Sequence, residues 1–141
     1  MDQEDRPRVV LWLVAGFLLL YCPALILFWF LDAQASKARE EIQRAVEGPD
    51  NSFAVTINGR SARDGAALLH AIRGIHSQPP HHSSPGPEIQ LVIRGPQSTL
   101  ALTLARDSKV PREYWAFWTQ GASNPNRLEI GRIDTSVLDS E

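Results

Sequence analysis

The chain has too few cysteines and too little excess charge for several common classes of protein. Its 141 residues contain one cysteine, Cys22, and carry a formal net charge of −2. A single cysteine excludes a disulfide framework within the chain and a cysteine-rich zinc site. Because nucleic-acid-binding domains usually carry a clear basic excess, the near-neutral charge argues against a nucleic-acid partner. The length allows one small domain with an accessory segment.

Catalytic signatures are also missing from the sequence. It contains no G-x-S-x-G, no P-loop, no dinucleotide-binding G-x-G-x-x-G and no H-E-x-x-H motif. A Ser-His-Asp set can be drawn from Ser108, His82 and Asp107, but no motif positions these three residues together. We therefore expect a non-enzymatic protein with no cofactor, and a membrane-tethered hydrolase is the weakest of the alternatives.

One long apolar run stands near the start of the chain. Residues 9–31 include 23 consecutive positions without a charge, and about 20 helical residues are enough to cross a bilayer. Trp12 and Trp29 lie near the two ends of the run, where aromatic residues favour the membrane interface. We predict a short tail over 1–8 and an uncleaved transmembrane helix over 9–31, which would make the lipid bilayer a partner. The small residues of Ala33-Gln34-Ala35 leave signal-peptide cleavage after Ala35 as an alternative.

The orientation of this helix is less clear from the flanking charges. Arg6 and Arg8 precede it, and Lys37, Arg39 and Arg44 follow it, so the positive-inside rule favours neither side strongly. The short tail before the helix and the bulk of the chain after it favour a cytoplasmic N-terminus. We expect a single-pass protein of a bacterial inner membrane with its C-terminal domain in the periplasm.

A second helical pattern follows the apolar run. Over residues 32–50, Ala35, Ala38 and Ile42 recur at helical spacing, and Gly48-Pro49 is a helix stop signal. The apolar face is narrow and made of small residues. We expect a solvated helical stalk that links the membrane to the domain, with a short coiled-coil contact between two copies as an alternative.

The remaining chain has the pattern of a small α+β domain over residues 51–138, with a tail at 139–141. Alternating apolar residues indicate strands, and a 3.6-residue period indicates one helix. The predicted order is β-α-β-β-β-β, which favours an antiparallel sheet with one packed helix. The predicted elements are strand 53–57, helix 62–75, and strands 88–94, 100–105, 114–118 and 128–133.

Part of this domain resembles a known family. The run V-T-I-N-G-R, the helix end A-L-L-H-A-I, and the segments I-Q-L-V-I-R-G and L-A-L-T-L occur between Val55 and Leu104. In this order they resemble the C-terminal half of a bacterial PDZ domain of the kind found in periplasmic proteases. The resemblance implies a strand, an Asn-Gly turn, a helix and a hairpin. The carboxylate-binding loop of that family is not found upstream, so no peptide-binding residues are transferred.

The aromatic segment 114–118 is the most distinctive candidate site. Strand alternation places Tyr114 and Trp118 on one face, and Trp115 and Phe117 on the other. One face belongs in the core, and the other exposes aromatic area that is typical of interaction sites. We therefore predict a membrane-anchored interaction module of the cell envelope that binds a protein partner or a second copy of itself through these four residues.

The histidines give the alternative function. His76, His81 and His82 lie in or beside a loop rich in proline and serine, and they are weak candidates for metal ligands. A metal ion needs three or four converging ligands, and no cysteine or carboxylate is fixed beside them, so we expect no metal. An envelope sensor of a ligand or metal, using residues 76–82, is the alternative to the interaction module.

Overall fold

A computed structural model describes residues 6–77, 82–119 and 127–139. The expected α+β class is confirmed. The chain begins with one long helix, and a second helix and six strands follow it. Short 3-10 turns occur at Asp50–Ser52 and Val137–Asp139. The elements are α1 (Arg6–Ala45), β1 (Ala54–Ile57), β2 (Arg60–Ser61), α2 (Gly65–Arg73), β3 (Pro85–Arg94), β4 (Thr99–Asp107), β5 (Glu113–Thr119) and β6 (Arg127–Asp134).

The six strands form one antiparallel sheet in the order β2-β1-β3-β4-β5-β6. Asn58 and Gly59, at φ of 49° and 80°, make the tight turn between β1 and β2. The strand β2 has two residues and was not predicted. Asp64 caps α2 by accepting a hydrogen bond from the Ala67 amide at 3.0 Å. The other five strands and α2 lie where the periodicity predicted them, apart from their end residues.

Strand alternation gives the sheet an aliphatic inner face. Register pairs such as Leu91 with Leu102 place apolar side chains of neighbouring strands side by side. The helix α2 covers this face with Leu68, Leu69 and Ile72, which are at most 1% exposed. The buried sheet residues in this core are Val55, Ile57, Leu91, Ile93, Leu100, Leu102, Leu104, Tyr114, Ala116, Ile130 and Ile133.

The last turns of α1 also belong to this core, which corrects the expected stalk. Ala38, Ile42 and Val46 are 2%, 0% and 0% exposed and are part of the same apolar cluster as the inner face of the sheet. The chain divides into compact units at residues 1–34 and 35–141, so the domain begins at Ala35 and not at residue 51. The narrow apolar face of small residues is covered by the sheet domain of its own chain, and neither a solvated stalk nor a coiled coil describes it.

The two helices cap each other's C-terminal ends. The last carbonyl groups of a helix have no donor within that helix and need partners from elsewhere. Gln43 Nε2 of α1 donates to the carbonyl oxygens of Arg73 and Ile75 at 3.0 and 3.3 Å. Arg73 of α2 donates in return to the carbonyl oxygens of Val46 and Gly48, at 2.9 Å each. These reciprocal bonds hold the end of α1 against the end of α2.

The part of α1 that precedes the domain is an exposed apolar helix. It is long and apolar enough, by length and composition, to cross a membrane, and its most apolar stretch is not buried. The helix continues through Pro23. The expectation that the chain has one helix long and apolar enough to span a bilayer is therefore confirmed for the described residues.

A glycine permits a close approach at the edge of the sheet. The pairing of β5 with β6 is irregular between Ala116 and Phe117, and Gly131 has a φ of +146°. The backbone of His76 pairs there with Arg132: each amide donates to the other's carbonyl oxygen, with N···O distances of 3.1 Å from His76 and 2.9 Å from Arg132. A Cβ on Gly131 would meet the carbonyl oxygen of His76, so only glycine fits this position.

We predict that Gly131→Ala lowers the free energy of unfolding by about 2–3 kcal/mol, because it adds a clash to a positive φ that disfavours side chains. The measurement is chemical denaturation of the full-length protein in detergent, followed by circular dichroism. Gly74→Ala is the matched control, since Gly74 has a φ of −83° and its Cβ would make only ordinary contacts. Equal stability of the two variants would contradict the assignment.

Candidate interaction surface

The outer face of the sheet lies opposite α2 and the last turns of α1. No helix of the described residues packs on this face, because both domain helices join the inner core. The predicted alternation of the aromatic strand is confirmed. Tyr114 and Ala116 are buried in the inner core, and Trp118 packs against that core. Trp115 and Phe117 therefore lie on the outer face, and both are half-buried.

Two of the four predicted contact residues are part of the inner layer. Tyr114 is 1% exposed, and its hydroxyl donates to Asp139 Oδ1 at 3.4 Å. Burial, together with the Asp139 carboxylate, raises the pKa of Tyr114. Trp118 is half-buried against the core. Tyr114 is thus a core residue and not a contact residue, which corrects its assignment, and the candidates that face outward are Trp115 and Phe117.

Both outward rings are covered by arginines from β6. The guanidinium carbon of Arg132 lies 3.4 Å from the ring centroid of Trp115, and that of Arg127 lies 5.1 Å from the centroid of Phe117. The two rings are 6.4 Å apart and almost parallel, at 13°. Arginines placed in this way interact favourably with the aromatic faces. We call these two rings and two arginines the outer-face cluster, together with the carboxylates that pair with the arginines. Its members are Trp115, Phe117, Arg127, Arg132, Glu88, Glu113 and Glu129.

The acidic members hold the arginines in place. Arg132 is only 5% exposed, with Nη1 at 2.5 Å from Glu129 Oε1 and Nε at 3.3 Å from Glu113 Oε1. Arg127 Nη1 lies 2.7 Å from Glu88 Oε1. Arg127 is on β6 and Glu88 is on β3, three strands away in the sheet order, a backbone separation of roughly 14 Å in a flat sheet. This pair therefore reaches across β4 and β5 and closes over the aromatic strand.

Small side chains beneath the cluster confirm that it covers the sheet. Thr103 pairs in register with Phe117, and Ala105 pairs with Trp115. Thr103 is 5% exposed and Ala105 is 0% exposed, although no described helix lies on this face. The outer face is therefore a thin layer of rings and guanidinium groups rather than a bare apolar patch.

Asp107 fixes the edge of this layer. Its carboxylate is 4% exposed and accepts hydrogen bonds from the Trp115 indole at 2.8 Å, the Lys109 amide at 2.8 Å and the Val110 amide at 3.0 Å. Ser83 Oγ is a fourth donor. Burial raises the pKa of Asp107, but these hydrogen bonds outweigh burial and hold the pKa well below its usual range. Asp107 therefore caps the turn after β4.

The histidines are not gathered into a site by the described residues. His70, His76 and His82 are exposed, and the predicted ligand His81 lies outside the described ranges. Among residues 6–77, 82–119 and 127–139, no three side chains of His, Cys, Asp or Glu converge as a metal ion would require. The sensor built on residues 76–82 stays a prediction.

The Ser-His-Asp set drawn from the sequence has other contacts in the structure. Ser108 Oγ accepts a hydrogen bond from the Ser84 amide at 3.0 Å. The Asp107 carboxylate already accepts hydrogen bonds from Ser83, Trp115 and two loop amides. His82 is exposed. These contacts attach the start of β3 to the end of β4, which is a structural role.

Sequence reasoning missed the two arginines of the cluster. Arg127 and Arg132 were predicted as loop and strand residues without a role. Their distance from the aromatic strand along the chain hides the contact, and the register of β6 on β5 creates it. The sequence predicts that strands 114–118 and 128–133 pair as a hairpin, but it does not give the register that places Arg132 opposite Trp115.

Comparison with known proteins gives no relative of this chain: no family model, no curated protein and no solved structure matches it. The resemblance to part of a PDZ domain therefore stays a prediction.

We predict that Asp107→Asn destabilises the domain at neutral pH by about 2 kcal/mol, because a neutral amide replaces a carboxylate that accepts several hydrogen bonds. The folded-state pKa of Asp107 lies below its ordinary value of 3.8. The stabilisation by the wild-type carboxylate is therefore complete well above pH 3.8, and it is lost progressively as the pH falls from there through the folded-state pKa.

The measurement is the free energy of unfolding of wild type and variant between neutral pH and pH 2. The difference between them should be constant above about pH 5 and should shrink below the ordinary aspartate pKa. A difference that grows on acidification would show that the carboxylate is not the stabilising form.

Proposed function

We propose that this chain is a single-pass protein of a bacterial inner membrane, with its N-terminus in the cytoplasm and a non-enzymatic interaction domain in the periplasm. The domain would bind a protein through the outer-face cluster. The observation that carries the proposal is the half-buried, cation-capped ring pair of Trp115 and Phe117 on a sheet face that no described helix covers.

The anchor is supported by the length and the exposure of the apolar helix. A fully exposed apolar helix of this length is unfavourable in water, because each large apolar side chain buried from water gains roughly 1.5–3 kcal/mol. Lipid provides this burial where the folded domain does not. Only residues 32–34 separate the end of the apolar run from Ala35, so the anchor and the domain core are joined without a long linker.

The composition of the outer-face cluster supports a binding role. Tryptophan and arginine are enriched at the residues that dominate protein–protein binding energy. Asp107 and Arg132 hold the Trp115 ring in one arrangement, and Phe117 lies almost parallel to it, so little side-chain entropy would be lost on binding. The exposed pair of Arg127 and Glu88 adds little to stability, and its groups are available for exchange with charges of a partner.

We predict that the full-length protein resists alkaline extraction from the membrane and that a C-terminal tag is digested in spheroplasts but protected in intact cells. This result follows from an uncleaved anchor with a periplasmic domain. The measurement is tag size on a blot after protease treatment. A tag digested only after spheroplast lysis would place the domain in the cytoplasm, and a shortened soluble product would indicate cleavage near Ala35.

We predict that a photo-crosslinking amino acid at position 117 forms an adduct with a protein in intact cells, because Phe117 lies at the centre of the outer-face cluster. The same group at position 66, an exposed alanine on α2, is the matched control on the helix side of the sheet. The readout is a shifted band of the tagged protein.

The crosslink at position 117 should weaken when Arg127→Ala removes the cation over that ring. Folding of each variant is checked by protease resistance of the domain. Equal adducts at positions 117 and 66, or no adduct at either, would overturn binding through this face.

A further inference from the structure

We propose that residues 135–139 form a displaceable strap, and that the site beneath the strap binds a partner-protein segment in which an acidic residue directly follows an aliphatic one. The site lies on the inner side of the sheet, at the end where β4 finishes and β5 begins. It is separate from the outer-face cluster, and the inference depends neither on that cluster nor on the membrane anchor.

The strap shows which apolar side chain the site accepts. Leu138 is 7% exposed and belongs to the inner apolar core. It lines a recess together with Ile57, the last residue of β1, and Ile89 of β3. These two strands are neighbours in the sheet. One part of the site is therefore an aliphatic pocket on the inner face of β1 and β3.

An anchor for a carboxylate accompanies this pocket. Arg106 Nη2 donates to Asp139 Oδ1 at 2.7 Å, and the Tyr114 hydroxyl donates to the same oxygen at 3.4 Å. Arg106 has a second bond that does not involve the strap, from its Nε to the carbonyl oxygen of Pro111 at 2.9 Å. Because charge-assisted hydrogen bonds of a guanidinium favour a carboxylate, the site selects an acidic residue directly after the aliphatic one.

The wall of the recess is also held by bonds that do not involve the strap. Asn58 lines the recess and exchanges two hydrogen bonds with Gln90. The Asn58 amide donates to the Gln90 carbonyl oxygen at 2.8 Å, and the Gln90 amide donates to Asn58 Oδ1 at 2.9 Å. A site that is already formed loses little conformational entropy when it binds a ligand.

The strap itself is a short segment with local backbone bonds. The Val137 amide donates to Thr135 Oγ1, and the Asp139 amide donates to the Ser136 carbonyl oxygen, at 3.2 Å each. The side chains of Arg106 and Asp139 are 44% and 36% exposed, and an ion pair exposed to this degree adds little to stability. Short terminal segments of this kind open locally at a low free energy, so the strap can leave the site while the sheet stays folded.

Free space beside the strap favours a different protein as the competing occupant. The recess has a volume of about 350 Å³ and extends from Leu138 to Asn58 and Arg60, and Arg60 is an exposed cation at its rim. A second copy of this chain would offer only the contacts that the strap already makes, and the strap has the advantage of a high effective concentration. A partner segment that also fills the recess gains contacts that the strap lacks.

The test uses the full-length protein in detergent and, as the probe, a synthetic peptide of residues 135–141 with a fluorophore at its N-terminus. Fluorescence anisotropy measures its binding to wild type and to Leu138→Ala, which loosens the strap and leaves the site residues unchanged. We expect at least tenfold tighter binding to Leu138→Ala, because the wild-type strap competes from within the molecule.

Two controls test the contacts of the probe. Adding Arg106→Ala to the Leu138→Ala protein, or placing alanine at the leucine of the peptide, should each weaken binding at least tenfold. Absence of binding to both proteins, or binding that ignores both controls, would overturn the proposal. A concentration-dependent dimer of wild type that Leu138→Ala abolishes would assign the site to the strap of a second copy and reject a different protein as the occupant.

Hydrogen exchange of the wild-type protein keeps the proposal testable if Leu138→Ala does not fold. Deuterium uptake read by mass spectrometry should be at least tenfold faster in residues 135–139 than in β4 and β5. Equal protection of the strap and these two strands would show that the strap opens only with the whole domain, and this result would reject a displaceable strap.

Discussion

The packing of residues 35–46, the last turns of α1 and the residue after it, against the inner face of the sheet is the contact on which the rest of the domain depends. Ile42 and Val46 are fully buried there, and a fully buried aliphatic side chain contributes roughly 1.5–3 kcal/mol. A helix of three turns is marginal by itself in water, so this burial, together with the bonds between Gln43 and Arg73, holds it in place. Residues 35–45, at the end of the helix that carries the apolar run, are thus a structural element of the domain core.

The sheet lies between two layers of side chains that differ in chemistry. The inner layer is aliphatic and is stabilised by burial under α1 and α2. The outer layer consists of aromatic rings capped by guanidinium groups, and it covers Thr103 and Ala105 without a helix. Asp107 connects this layer to the loop after β4, because one carboxylate accepts the Trp115 indole and two loop amides. The orientation of the Trp115 ring and the shape of the loop therefore depend on the same ionised group.

The local pattern of the sequence determined α2 and every strand except β2 to within a few residues at their ends, the turn at Asn58-Gly59 and the face on which each aromatic residue of β5 lies. These features depend on neighbours along the chain, on periods of 2 and 3.6 residues and on turn chemistry. Only the tertiary structure decided what residues 35–46 pack against. Their narrow apolar face is equally compatible with a solvated stalk, with a coiled coil and with packing against a sheet. The tertiary structure also decided which groups cap the Trp115 and Phe117 rings. Arg127 and Arg132 reach them only through the register of β6 on β5, and that register depends on Gly131 and the close approach of His76, which no periodicity along the chain records.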